Sequence, residues 1–405
     1  MDIMKLLLIF STIVMVLKLK KPLWFAILAA ICMTEFLFQL DIKIFLSIIL
    51  ESSIKQETIS ILLVFYLITF LQRMLEKRGS LALAQEALDR LFNSRRATVA
   101  LAPFFLGLVP SASIVTLCGD IVHKSTGDAL TKEEKAFVTS FYRHIPEAFL
   151  PTFSTIILSI NLSNGHITIG SFMLAMMPMI IILIGLGYIF YLKKIPNEVL
   201  ITSVNDTIWD NLIDFLKGTW TIIFILMLIL IWDISVHIAA LYAIAFFVMI
   251  GRFKILELKP FALAAFEKNL LVSTFTIMIF KDVLSATGVI NSLPHILGTL
   301  PLPSFLIFSL IFFFGTIIGG SQAIVILGVP LVFSAIPEAG LPLFILLMSL
   351  SFIANQITPT HVCLAVITEY FEVSFNSFIK KSIPIILYFI MIVFCYYFFL
   401  TKLIT

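Results

Sequence analysis

Residues 312–330 read FFFGTIIGGSQAIVILGVP, and the small and polar residues 319–322 (Gly-Gly-Ser-Gln) stand in the middle of this apolar run. No Asp, Glu, Lys or Arg occurs from 283 to 337, which indicates a position in or beside lipid. The apolar arms on either side have about 15 residues each, and at about 1.5 Å per residue each covers only part of a hydrocarbon core of about 30 Å. Two half-length helices that meet at a polar tip predict a re-entrant hairpin. The alternatives are two ordinary spans or one long kinked helix.

The composition agrees with a membrane location for the whole chain. Of its 405 residues, 60% are hydrophobic, whereas soluble domains have about 45–50%. Repeated apolar stretches of about 20 residues predict an all-α polytopic membrane protein that lies in a lipid bilayer. The net charge of +3 is small, so nucleic acid is not expected as a partner. The four cysteines show no metal-type spacing and the six histidines are dispersed, so the sequence predicts no resident metal or cofactor.

Basic residues concentrate in a few loops and orient the spans. The basic clusters are Lys18, Lys20 and Lys21; Arg73, Lys77, Arg78, Arg90, Arg95 and Arg96; Lys193 and Lys194; Arg252 and Lys254; and Lys380 and Lys381. Loops 161–166 and 285–299 carry no Lys or Arg. If the hairpins do not cross the membrane, all basic clusters fall on one side, which the positive-inside rule makes cytoplasmic. This predicts a multi-pass protein of the cytoplasmic membrane with both termini outside.

Landmarks in the first half recur in the second. The interval from Gly79 to Pro110 is almost the same as the interval from Gly288 to Gly320. An offset near 209 relates the halves, and each half then holds five transmembrane helices and one re-entrant hairpin. Because five is odd, the second half must be inverted, which is typical of secondary transporters. Chance similarity of apolar segments is the alternative.

This repeat divides the chain into three parts. Residues 1–195 are predicted to form the first inverted repeat, with its hairpin at about 97–119 on the inner side. Residues 196–212 are predicted to form a cytoplasmic linker. Residues 213–405 are predicted to form the second repeat, with its hairpin at about 302–336 on the outer side.

The two hairpin tips are the first candidates for a substrate or ion site. Proline and glycine leave backbone groups that lipid cannot satisfy, and such groups persist only where protein, water or a ligand meets them. The alternative for each serine is a hydrogen bond to its own helix. The candidate residues at the tips are Pro110, Ser111, Ser113, Gly320, Ser321 and Gln322.

Two broken helices supply further candidates. Pro151 and Pro359 lie inside stretches of membrane length, where each removes a helical hydrogen bond and opens a turn. Hydrogen-bonding side chains surround the second break, so we expect it to line a cavity at the membrane midplane; polar contact between helices is the alternative. The candidate residues at the breaks are Pro151, Thr152, Asn355, Thr358, Pro359 and Thr360.

Ionisable residues at membrane depth are candidates for carrying a coupling proton. Arg143 and Glu147 are four residues apart and can pair along one helical face, with His144 beside them. Glu147 or His361 can bind and release a proton, because histidine titrates near neutrality. Local neutral pairing is the alternative. The sequence has no Walker loop, GxGxxG turn or HExxH pair, and an intramembrane enzyme using His361 would lack a readable catalytic partner, so an enzyme is not expected.

At the tips and breaks the chain resembles the ion transporter superfamily, which includes citrate, gluconate, dicarboxylate and arsenite permeases. Within that group it is most similar to an uncharacterised branch of membrane proteins with a domain of unknown function. The likeness is carried by the motifs at 95–98 (RRAT), 108–111 (LVPS), 141–147 (FYRHIPE), 280–284 (FKDVL), 319–321 (GGS) and 358–361 (TPTH).

The resemblance implies a scaffold domain and a transport domain that slides against it in an elevator mechanism, usually in a homodimer. Carried over by position, Ser111, Ser113 and Thr152 belong to one half-site, and Ser321, Gln322, Asn355, Thr358 and Thr360 belong to the other. Sodium-coupled relatives show Ser-Asn-Thr at both tips, whereas this chain reads Pro-Ser-Ala-Ser and Gly-Ser-Gln-Ala. This difference favours H⁺ over Na⁺ as the coupling ion.

The sequence therefore predicts a secondary active transporter for a small organic anion, expected to be a carboxylate, coupled to H⁺ or Na⁺. A passive anion or ion channel on the same inverted-repeat fold is the alternative.

Overall fold

The computed structural model describes residues 2–19, 21–92, 94–108, 114–196, 208–232, 234–289, 301–336, 338–358 and 361–404. Within these ranges the chain is helical and contains no strand. The α-helices of the first half are α1 Asp2–Lys18, α2 Leu23–Phe38, α3 Ile42–Ile54, α4 Gln56–Lys77, α5 Ser80–Phe92, α6 Arg95–Leu106, α7 Ile114–Thr126, α8 Lys132–His144, α9 Ser154–Leu162 and α10 Ile169–Phe190. Those of the second half are α11 Ile208–Trp232, α12 Val236–Ile250, α13 Ile255–Ala264, α14 Lys268–Ala286, α15 Ser304–Gly319, α16 Ser321–Ala335, α17 Leu341–Asn355, α18 Val362–Tyr370 and α19 Phe375–Ile404.

Several of these helices are long and apolar enough to cross a membrane. Among the described residues the qualifying segments are Gln56–Lys77, Ile169–Lys194, Ile208–Trp232, Lys268–Ala286 and Phe375–Leu403. Helices α2, α12, α15, α16 and α17 are also apolar but shorter. The structure thus confirms the prediction of an all-helical membrane protein.

Two short helices were not predicted from the sequence. Helix α3 precedes the long helix α4, and α13 precedes the long helix α14. The Asp41 carboxylate caps α3 by accepting a hydrogen bond from the backbone N–H of Lys43 at 2.8 Å. Both helices pack against the long helix of the other half, α3 against α14 and α13 against α4. Their lengths of 13 and 10 residues fall below the length that a hydropathy window detects.

The helices expected to break do so. Residues 137–160 are divided between α8 and α9, with the 3-10 turn Ile145–Ala148 and the Pro151 region between them. Residues 342–367 are divided between α17, which ends at Asn355, and α18, which begins at Val362. A short helix begins after each break, α9 at Ser154 and α18 at Val362.

The arms of the hairpin at 304–335 pack closely against each other. A Cβ atom at Gly328 of α16 would lie 2.5 Å from Cε2 of Phe312 in α15, so only glycine permits this approach. The arms meet at Gly320, whose φ of 83° and ψ of 159° belong to a backbone region occupied almost only by glycine.

The helices pack in two groups. The span group consists of α1–α4 and α11–α14, and the hairpin group consists of α6–α10 and α15–α19. Helix α5 packs against α11 of the span group and α6 of the hairpin group, and so bridges the two. Contacts within each group connect its helices from both halves of the chain.

Candidate functional site

A cavity of about 440 Å³ lies where the second hairpin meets both helix breaks. Leu17 and Leu23 of the span group form part of its wall, and the hairpin group supplies the other residues. Six of the residues predicted from the sequence line it: Glu147, Gly320, Ser321, Gln322, Asn355 and His361. The structure therefore brings candidates from both halves together in one site.

Three helices begin at this cavity. Ser154, Ser321 and Val362, the first residues of α9, α16 and α18, all line it. Within the described part of the chain, no side chain caps any of the three N-termini. The first backbone N–H groups of a helix have no partner within the helix, and the N-terminus carries about half a positive charge. Three such termini make the cavity attractive to an anion.

Hydrogen bonds between distant segments fix the cavity wall. The Gln322 side-chain amide donates a short hydrogen bond to Oγ of Ser154, which joins the second hairpin to the first-half break. Oγ1 of Thr358 donates to the backbone carbonyl of Ile317 at 2.8 Å and so holds the second break against α15. The first bond fixes the positions of two side chains that line the cavity, whereas Thr358 does not line it.

An ion pair and two histidines lie at the cavity wall: Glu147 and His361 line the cavity, and Arg143 and His144 lie behind them. Nη1 of Arg143 donates to Oε1 of Glu147 at 2.7 Å, and Arg143 is only 2% exposed. Nε2 of His144 lies 3.8 Å from the same carboxylate oxygen, and the His144 ring stands edge-on to the ring of His361 with centroids 4.6 Å apart. Glu147 lines the cavity and Arg143 does not, so the buried guanidinium compensates the charge of a carboxylate at the cavity wall.

The remaining candidates lie elsewhere. Pro151 and Thr152 are buried in the first break but do not line the cavity. Oγ1 of Thr152 has no hydrogen-bond partner among the described residues. The residues Pro110, Ser111, Ser113, Pro359 and Thr360, and positions 197–207 of the predicted linker, lie outside the described residues.

Sequence reasoning missed two residues at the site. Ser154 belongs to the predicted first break, but only the structure shows that it is the first residue of α9 and the acceptor for Gln322. Cys363 lies near His144 and His361. The only signal in the sequence was that Cys363 comes two residues after His361. No local pattern could reveal the contact with His144, because His144 is distant in the sequence.

The fold and the apolar spans define a helical membrane protein with a partly open cavity, lined by polar and apolar side chains, where two helices break. The chain belongs to the family described as "Protein of unknown function (DUF401)", whose model matches residues 3–399. No curated protein matches the chain.

Proposed function

We propose that the protein is a secondary active transporter for a small organic anion, with a carboxylate as the expected substrate class. The observation that carries this proposal is the convergence of three uncapped helix N-termini on one cavity in the described part of the chain. Each terminus is worth about 0.3–2 kcal/mol towards an anion, with the larger value in partly buried sites. Ser321, Gln322 and Asn355 add neutral polar groups that can bind carboxylate oxygens. Transport is coupled to H⁺ or Na⁺ in this proposal.

An inverted repeat is part of the proposal, and the helix positions support it. The first residues of α6 and α15 differ by 209 in number (304 − 95), as do those of α8 and α17 (341 − 132). The last residues of α4 and α14 show the same offset (286 − 77). The glycines that follow these two helices, Gly79 and Gly288, share a left-handed conformation with φ of 65° and 71°. The short helices α3 and α13 occupy matching places in the two halves.

The helix contacts also support two related halves, because they recur with the halves exchanged. Helix α4 packs against α12, and its counterpart α14 packs against α2. In the hairpin group, α9 packs against α16, and α18 packs against α7. Likewise α8 packs against α19, and α17 against α10. A two-fold relation between the halves produces such an exchange.

The elevator mechanism rests on the two packing groups. The cavity lies mainly in the hairpin group and borders the span group through Leu17 and Leu23. Sliding of the hairpin group along the span group would carry the site across the membrane without dismantling it, and differential occupancy of the end states would couple ion and solute. The cytoplasmic membrane, outward termini and a homodimer complete the proposal. Native mass spectrometry that showed a single chain in lipid-like detergent would contradict the homodimer.

A thermal-shift screen tests whether the cavity takes the proposed substrate class. The purified protein would be heated with a broad panel of carboxylates, with and without Na⁺ and at two pH values. A ligand at about 100 times its Kd stabilises the folded state by about 2.7 kcal/mol, so a carboxylate substrate should raise the apparent Tm in a saturable way. If no carboxylate shifts the apparent Tm under any ion condition, the proposed substrate class is wrong.

A further inference from the structure

His144, His361 and Cys363 meet beside the cavity, which His361 lines, although no sequence pattern links all three. One ring nitrogen from each histidine and Sγ of Cys363 all lie within 4.8 Å of one another. His144 ends α8, and His361 and Cys363 lie at the start of α18. The cluster therefore joins the broken helix of the first half to that of the second.

Both histidine rings are oriented by backbone carbonyls. Nδ1 of His144 lies 2.6 Å from the Ser140 carbonyl oxygen, and Nδ1 of His361 lies 3.2 Å from the Asn355 carbonyl oxygen. A proton on Nδ1 satisfies each contact and leaves the lone pair on Nε2. Histidines that bind metals usually donate their other ring N–H to such an acceptor, which fixes the tautomer and the ring orientation.

The Nε2 atom of His144 is a second, independent observation that points to a ligand at this cluster. The side chain is fully buried, and Nε2 has no hydrogen-bond partner among the described residues. A buried polar atom without a partner is costly, about 1–3 kcal/mol. Oε1 of Glu147 lies 3.8 Å away, beyond hydrogen-bond range. A metal ion between His144, His361 and Cys363 would satisfy this nitrogen.

We propose that His144, His361 and Cys363 bind a late first-row transition metal, with Zn²⁺ as the ion. Two imidazole nitrogens and one thiolate match the preference of Zn²⁺, and three protein ligands leave a fourth position for water or for Glu147. A tetrahedral site with two nitrogens and one sulfur needs these atoms about 3.3–3.6 Å apart, so the widest separation in the cluster, up to 4.8 Å, closes by about 1 Å on binding. The Cys363 thiol loses its proton to solvent as the Zn–S bond forms.

Metal binding and the carrying of a coupling proton are alternative roles for the same two histidines. Coordination uses the lone pairs that a coupling proton would occupy, so His144 and His361 cannot carry that proton while metal is bound. The site does not depend on the proposed transport, since it requires only that the two breaks meet as described. A bound metal ion would link α8, from the first half of the chain, to α18, from the second half, beside the cavity.

Cobalt binding to the purified full-length protein tests this inference. After reduction and removal of metals by a chelator, Co²⁺ should produce a thiolate-to-cobalt charge-transfer band at one ion per chain, and Zn²⁺ should abolish the band. Cys363→Ser should remove the band, and His144→Gln and His361→Gln should each weaken binding by at least about tenfold, the lower range for changes around a metal site. Cys32→Ser and Cys395→Ser, at exposed cysteines, should leave the band unchanged.

Size-exclusion profiles and apparent Tm values without metal would show that each variant is folded. Absence of the band from the wild-type protein would overturn the inference irrespective of any variant. So would a band that survives Cys363→Ser, or one that Cys395→Ser removes. Because absorbance reports the metal directly, failure here leaves the transport proposal standing, and failure of transport leaves the metal site standing.

Discussion

The rings of His144 and His361 lie 4.6 Å apart between centroids, with an interplanar angle of 62°, although the two residues come from opposite halves of the chain. This contact joins His144, the last residue of α8, to His361, the residue that immediately precedes α18. It brings the two helix breaks to one place and puts the Arg143–Glu147 pair next to the cavity. The proposed anion site and the proposed metal site both depend on this meeting of the breaks.

At the tip of the second hairpin, alanine should be tolerated at Gly319 but not at Gly320. Gly320 has φ of 83° and ψ of 159°, a conformation that costs about 1–3 kcal/mol for other residues. Gly320→Ala should therefore lower the apparent Tm and weaken anion binding. Gly319→Ala is the matched control, because an added Cβ would meet only Cβ of Ala323 at an ordinary 3.7 Å. Equal apparent Tm values for the two variants would contradict the described tip geometry.

The hydrogen bond between Gln322 and Ser154 should appear as energetic coupling. Gln322→Ala and Ser154→Ala each remove the contact between the second hairpin and the first break. If the bond positions the cavity wall, the double variant should lose less stability than the sum of the single losses, by about 0.5–1.5 kcal/mol. A double-mutant cycle measured by chemical unfolding in detergent gives this number. Strict additivity of the two losses would argue that the bond contributes nothing.

Removing one charge of the buried Arg143–Glu147 pair should destabilise the protein more than removing both charges. Arg143 is 2% exposed and pairs with Glu147 at 2.7 Å, so Glu147→Gln leaves a buried guanidinium without its carboxylate. Breaking one partner of a buried pair costs about 3–5 kcal/mol, whereas neutral replacement of both costs much less. The double variant Arg143→Met/Glu147→Gln should thus have a higher apparent Tm than Glu147→Gln alone. The opposite order would show that the pair does not compensate charge.

Loop accessibility tests the proposed orientation. Ser285 and Lys193 are both exposed on the protein, but the positive-inside rule places them on opposite sides of the membrane. In a cysteine-free background, Ser285→Cys should react with a membrane-impermeant maleimide in intact cells. Lys193→Cys should react only after permeabilisation. Labelling of both, or of Lys193→Cys alone, is incompatible with outward termini.

The sequence predicted those features that local patterns encode. The Gly-Gly-Ser-Gln interruption marks the tip between α15 and α16, because glycine and polar side chains in a charge-free apolar run indicate that the helix ends there. Pro151 marks the first break because proline removes a helical hydrogen bond. Six of the predicted site residues line the cavity because they lie at or beside these interruptions.

Features that depend on packing between distant segments could not be predicted. The Gln322–Ser154 bond joins opposite halves of the chain, and the assignment of Cys363 to a cluster requires knowing that α8 and α18 meet. The sequence predicted no metal at the cysteines because they lack metal-type spacing, and spacing along the chain was the only available criterion. Helices α3 and α13 escaped detection because each is too short to cross a membrane and directly precedes a long span.

Counterflow in proteoliposomes tests the central claim most directly. Vesicles containing the protein and loaded with an unlabelled carboxylate from the thermal-shift screen would be diluted into the labelled compound. The account predicts saturable, transient accumulation of label, and net uptake that responds to an H⁺ or Na⁺ gradient. Flux that neither saturates nor shows counterflow, with ionic current instead, would contradict a transporter and favour a passive channel. Uptake that is unchanged when both ion gradients are collapsed would contradict coupling.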